Sequence, residues 1–337
     1  MKNENVYFDL ILKGANVVLP GNKIELLDIG IINSKIVDLG NLNNKPSKKF
    51  LDIKGLIVIP GVIDTQVHFR EPGLTHKEDI FHGTMGAVLG GVTSIFEMPN
   101  TQPPTTNIIE LKKKFKIAEK TGFCNYSFFI GATKENVDKI NELESFPGCC
   151  GVKIFMGSST GNLLVEDDKS IKKILSRAKK MVAVHSEDEY RLNERKEEFS
   201  KKSISITDHP IVRDVKSAVQ STKRLLNVAR LSKKKIHILH LSTADEVDLL
   251  KNNKNIATCE VTPQHLFFSS PECYEKLGSF AQMNPPIRDK SHTKGLWDGV
   301  SQGVIDVIGS DHAPHTLEEK KKIYPSSPSG MTGVQTL

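Results

Sequence analysis

The sequence predicts an α/β protein: a (β/α)8 barrel of the TIM type preceded by a small β-sheet unit. Three features predict it. Eight short apolar runs recur through most of the chain, helical patterns separate most of them, and the N-terminal residues keep a different, β-rich rhythm.

In that N-terminal part, "DLILKGANVVL" and "LDIGIINSKIVDLG" are short β-rich stretches accompanied by the turn pairs Gly-Asn and Asn-Ser. They predict half of a small β-sandwich over residues 1–55. Over residues 56–337 the apolar runs are "LIVIPGVIDTQVH", "VTSIFEMPN", "NYSFFIGAT", "GVKIFMGSS", "MVAVHSED", "KIHILHLST", "NIATCEVTP" and "VIDVIGSDHAPH". "IIELKKKFKIAEKTG" and "VKSAVQSTKRLLNVARLS" are examples of the helical patterns between them. Strand and helix in alternation imply parallel strands with crossover helices, and eight such units fit the size of a (β/α)8 barrel. An open doubly wound sheet shares the alternation, but no glycine-rich phosphate loop opens the first unit.

Composition narrows the function. The 337 residues are 38% apolar and 26% charged, ordinary for a globular chain. There is no run of 18 apolar residues, so no membrane span is expected, and the start "MKNENVYFDLILKG" shows no cleavage-site pattern, so no signal peptide is expected. Five cysteines, odd in number and without a CxxC pair, point to a reduced, cytoplasmic setting. The net charge of +6 arises from lysine patches such as "LKKKFK" and "LSKKKI". With no aromatic-interleaved basic motif beside them, these read as solvated helix faces, and no nucleic-acid partner is expected. A small-molecule substrate is.

A barrel places chemistry at the C-terminal ends of its strands. Those ends carry Gln66, His68 and Arg70; Glu97 and Asn100; Lys153; His185; His240; Asp311, His312 and His315. His68, His185 and His240 close three different runs. Such residues would converge near the barrel axis, where imidazoles suit zinc and its neighbours. His76, His82, His209 and His292 read as surface residues. His237, three before His240, is turned to the other face by strand alternation, and His265 is undecided. Lys153 lies inside an apolar strand, where a charge is costly unless paired or removed. It either pairs with an acid or, as a neutral amine, takes up CO2 to become a carbamate able to bridge two metal ions. Asp311 is either a helix N-cap or a carboxylate that binds metal and exchanges a proton with bound water.

"PGVIDTQVHFREPG", "EMPNT", "GVKIFMGSSTG", "VAVHSED", "ILHLST", "MNPPIR" and "SDHAPH" together resemble the amidohydrolase superfamily and, within it, the dihydroorotases of the long bacterial type. The resemblance implies reversible, zinc-dependent cyclisation of N-carbamoyl-L-aspartate to dihydroorotate, a step of pyrimidine biosynthesis, with one or two zinc ions per chain. By resemblance, His68 and a carboxylated Lys153 belong to the first metal, His185 and His240 to the second, and Asp311 is metal ligand and general acid/base. Arg70, Asn100 and His315 match positions that hold the substrate carboxylate, and Asn284 one that meets the ring amide; Asn100 and Asn284 also suit turns beside proline. The related allantoinases and hydantoinases tend to lack the arginine of "REPG", but both activities stay open as alternatives. The resemblance further implies a homodimer or association with aspartate transcarbamoylase.

Two departures qualify it. Gln66 stands where the resembled pattern, His-x-His, has its first histidine. A neutral amide oxygen is a weaker zinc donor, which leaves open a loosely held first metal, a single metal, or a non-catalytic scaffold. The chain also reaches Leu337 soon after His315, where the resembled family continues with further barrel helices and strands. A missing C-terminal part, and an open apolar seam beside the eighth strand, are therefore expected.

Overall fold

A computed structural model describes residues 6–21, 23–157 and 163–337. The chain divides into two compact units, Met1–Gly61 and Val62–Leu337. In the first, β1 (Leu10–Leu19), β2 (Lys23–Ile32), β3 (Lys35–Gly40), β4 (Phe50–Asp52) and β5 (Ile57–Val58) form one mixed sheet. β2 pairs antiparallel with both β1 and β3, while β4 and β5 run parallel to β1. The turn from β2 to β3 falls on Asn33 and Ser34, both left-handed at φ 49° and 59°, as a two-residue hairpin matched to strand twist requires. Asn22, half of the other expected turn pair, lies outside the described residues.

The second unit is built on eight parallel strands: β6 (Val62–Val67), β7 (Val92–Glu97), β8 (Asn125–Gly131), β9 (Cys149–Phe155), β10 (Met181–His185), β11 (Ile236–Ile238), β12 (Ala257–Val261) and β13 (Val307–Ile308). Each pairs with its sequence neighbour, as right-handed β-α-β connections produce. β13 is too short to close the circle by itself. Closure is made just beyond it, where His312 bridges in parallel to Val67 and the His68 amide donates to the His312 carbonyl at 2.7 Å. The result is a nearly closed barrel, as the eight apolar runs predict.

The main core lies between strands and helices; Val152, Ile154, Val182 and Val184 face helix residues such as Leu111, Ile171 and Leu225. A separate cluster of Met98, Phe129, Ala183 and Leu239 fills the barrel itself. His237 is in register with Ala183 and bonds Thr258 Oγ1 at 2.8 Å, so it points inward. The alternation argument for His237 fails because β11 ends at Ile238 and His240 has left-handed backbone (φ 37°), which breaks the parity count.

Several loops above the strands end in a side-chain helix cap: Asp79, Asn107, Asp167, Asp188, Asp214, Thr243 and Thr316 each accept a backbone N–H of the first turn of the helix that follows. These caps fix where the loops leave the barrel mouth. After β13, the turn Val334–Thr336 returns so that Val334 is buried in the main core and Leu337 packs against it. The expected open seam is thus partly covered, although Ile308 remains 41% exposed. No helix among the described residues is long and apolar enough to cross a membrane, and all five cysteines are unpaired.

Candidate active site

The ends of β6, β9, β10 and β11 and the loop after β13 converge on one cleft. Gln66, His68, Arg70, Asn100, Lys153, His185, His240, Asn284 and Asp311 line it, together with Phe155, Ala313, Ser329 and Gly330. Every site residue that the resemblance implies is here except His315, which stands behind Arg70. The route is less regular than strand alternation suggests. β6 stops at Val67, and Arg70 is reached through left-handed backbone (φ 63°). Asp311 (φ 46°) and His240 are turned in the same way, which aims side chains over the barrel mouth.

The donors form two pairs. On one side His185 Nδ1 lies 3.0 Å from His240 Nε2, and His185 Nε2 is 2.8 Å from Glu187 Oε2. Glu187 is fully buried, and Arg213 grips the same carboxylate. Burial raises the Glu187 pKa, but Arg213 and His185 outweigh it and hold the group ionised, well below the usual range. An ionised Glu187 makes His185 Nε2 the N–H donor, so His185 Nδ1 presents its lone pair to the cleft. Burial pushes His185 and His240 towards the neutral form.

On the other side His68 Nδ1 lies 2.6 Å from Asn100 Oδ1, and His68 Nε2 lies 3.1 Å from Asp311 Oδ1. Burial lowers the His68 pKa. A neutral His68 that donates from Nδ1 to Asn100 turns a lone pair towards the Asp311 carboxylate. Two donor atoms facing each other in this way suit a shared cation. Gln66 Nε2 donates to the same Asp311 oxygen at 2.8 Å, while Gln66 Oε1 is buried without a hydrogen-bond partner.

Lys153 is fully buried, and its Nζ makes no hydrogen bond; the Phe155 ring lies 4.4 Å away. Burial lowers its pKa to about 7, against the pull of Asp311 and Glu260. At neutral pH about half of such amines are unprotonated, against roughly one in a thousand or fewer for an ordinary lysine. Among the described residues no group of three or more His, Cys, Asp or Glu could by itself hold a metal ion. The His185–His240 pair, the His68–Asp311 pair, the orphaned Gln66 oxygen and an amine free to react nonetheless form a donor set that fits one, with the lysine needed to complete it.

Arg70 donates from Nε to the Pro314 carbonyl at 3.0 Å. His315 accepts from Lys77 at Nδ1 (3.1 Å) and donates from Nε2 to the Ser329 carbonyl (3.0 Å). Burial and the neighbouring Arg70 and Lys77 push its pKa down to about 3, so the ring is neutral. Arg70 Nη2, 3.2 Å from that Nε2, therefore meets another donor and keeps its hydrogens for a ligand. Asn284 Oδ1 is buried without a partner in the same cleft.

Other expectations resolve differently. Glu97 does not line the cleft; it is buried against Lys114. His312 bonds Glu78 through Nε2 and accepts the Gly333 amide at Nδ1, so it serves closure. His209, expected at the surface, is buried and bonds the Met283 carbonyl, because the short helix His209–Val212 packs inward. His265 braces the Pro285 carbonyl. Glu187 and Arg213 were not singled out from the sequence; the acid two residues after His185 in "HSED" was the available signal. The Ser158–Gly161 end of the "GVKIFMGSSTG" motif lies outside the described residues.

A parallel barrel with a polar, partly unsatisfied cleft at its strand ends has the layout of the barrel enzymes. Residues 57–335 match the model of the amidohydrolase family. A dihydroorotase from Methanosarcina acetivorans is 34% identical over 354 residues, covering 100% of this chain and 72% of that protein. An allantoinase from Salmonella choleraesuis is 32% identical over 344 residues, covering 97% and 74%. The fold is similar to that of an L-hydantoinase (dihydropyrimidinase) from Arthrobacter aurescens, with a TM-score of 0.92 at 24% identity over 98% of this chain and 75% of that one. The chain belongs to the amidohydrolase family.

Proposed function

We propose that the chain is an enzyme that hydrolyses, reversibly, the amide bond of a small cyclic ureide ring. The observation that carries this reading is the buried, unpartnered Lys153 amine in one cleft with the His185–His240 imidazole pair and the His68–Asp311 pair. We further propose that zinc, one or two ions, is held by His185 and His240 on one side and by His68, Asp311 and a carboxylated Lys153 on the other. When bound, the metal would lower the pKa of its water and polarise the ring carbonyl. Asp311 takes a proton from the attacking water and returns it to the leaving ring nitrogen. Gln66 orients the Asp311 carboxylate for that exchange, and Asn284 offers its free amide oxygen to a ring N–H.

Arg70 favours a ring that bears a carboxylate, because its fork of donors suits such a group. Asn100 stands beside it, although its oxygen already serves His68. Dihydroorotate is the ring of this kind that the resemblance implies, and the dihydroorotase relatives support it. Allantoin or a hydantoin is the second reading, supported by the allantoinase relatives at comparable identity. The test is turnover of dihydroorotate, allantoin and a simple hydantoin by the zinc-loaded protein. Hydrolysis of none of them overturns the enzyme reading and favours the scaffold role that Gln66 leaves open. A homodimer, association with aspartate transcarbamoylase and a cytoplasmic setting rest on the resemblance and the cysteine pattern. Sedimentation with and without the transcarbamoylase checks the first two.

A further inference from the structure

We propose that Lys320 is a positioning residue whose ammonium ties together the two loops that roof the cleft. The residue is 5% exposed, and among the described residues no carboxylate lies within ion-pairing distance of it. A lysine so buried normally has an acidic partner. Here Nζ instead meets three backbone carbonyls, those of Gln282 (3.1 Å), Pro328 (3.0 Å) and Gly330 (3.0 Å). An ammonium has three N–H donors and no acceptor, so this cage matches it bond for bond. A neutral amine, with two hydrogens, could not make all three bonds at once.

The three carbonyls belong to segments that need outside support. Residues 282–287 and 328–330 have neither helix nor strand ladder. Gly330 N donates to the Gln282 carbonyl at 2.8 Å, and Gln282 Nε2 donates to the Ser327 carbonyl and to Ser329 Oγ. Lys320 closes this lattice from the end of the short helix Leu317–Lys320, which a reciprocal Thr316–Glu319 cap pins. The seated atoms face the cleft. Ser329 and Gly330 line it, Asn284 lies two residues from Gln282, and the Ser329 carbonyl accepts the His315 proton that leaves Arg70 free. Losing the ammonium would misplace the groups that hold the ring while sparing those that hold a metal.

The inference rests on reading this cleft as the cyclic-amide site, and the experiment separates the two. In K320M, hydrogen exchange at the Gly330 amide should accelerate at least tenfold. For whichever of dihydroorotate, allantoin or hydantoin the wild type turns over, KM should rise about tenfold, with kcat changed less than about threefold and zinc content unchanged. In K320A, millimolar propylammonium should restore KM and tetramethylammonium should not, since only the former carries N–H donors. K320M with wild-type exchange and KM overturns the proposal. So does a K320A defect in kcat, zinc content and melting temperature together that propylammonium leaves untouched. Faster Gly330 exchange in a protein that opens none of the rings keeps the Lys320 tie and removes the cyclic-amide reading.

Discussion

The two sides of the cleft are backed differently. Behind His185 stands an ionised, fully buried carboxylate, Glu187, itself gripped by Arg213. Behind His68 and Asp311 stand neutral amides, Asn100 and Gln66. A charged backing orients an imidazole and raises its basicity, whereas an amide orients and adds no charge. The difference teaches that, on the proposed reading, a cation would be held more firmly on the His185 side, while the Asp311 side would keep a carboxylate available for protons.

The strongest challenge to this division is D311N. It should lower kcat by about 10²–10⁴ while zinc at the His185 side is retained; loss of that zinc as well would merge the two sides into one. E187A should weaken zinc binding by about 10–100-fold, measured by competition with a chelator on the apoprotein, and E187Q should recover part of it. Equal zinc affinity in E187A and wild type would erase the asymmetry. R70K should raise KM for a carboxylated ring by about tenfold, because the planar fork is lost, and leave KM for allantoin nearly unchanged. Q66H should add up to one equivalent of zinc on the weaker side at modest cost to kcat; unchanged stoichiometry would mean that position 66 serves Asp311 alone.

A further prediction concerns acid stability rather than binding or turnover. Behind the Glu187 side, burial and Arg213 hold His209 down to about 3, against about 6.5 in an unfolded chain. Below pH ~6.5 the unfolded state binds a proton that the folded state refuses, so stability falls as pH drops from about 6.5 towards 3. H209Q should remove part of that slope, read from thermal melts between pH 4 and 7.

The fold was legible because the strands are apolar runs, those from β9 to β12 almost wholly buried, with helical patterns between most of them. The site was legible where a polar residue interrupts such a run, as at Lys153 and His185. It was less legible wherever the backbone leaves the strand. Nothing in "HFREPG" announces that β6 stops at Val67, so Gln66, His68 and Arg70, expected at one strand end, reach the cleft partly through backbone beyond the strand. Glu97 ends a strand as convincingly as His185 does, yet its partner Lys114 lies on a helix seventeen residues on. Arg213 and Lys320 act through contacts between segments far apart in sequence, which no local pattern encodes.

Arg70, His240 and Asp311 share a backbone conformation that side-chain-bearing residues adopt reluctantly. Each is therefore a spot where the polypeptide itself would settle more comfortably as glycine, and where the side chain is kept against that preference. Attempts to toughen this protein by relaxing these three residues would strip side chains from the cleft first, so gains in robustness have to be sought away from the barrel mouth.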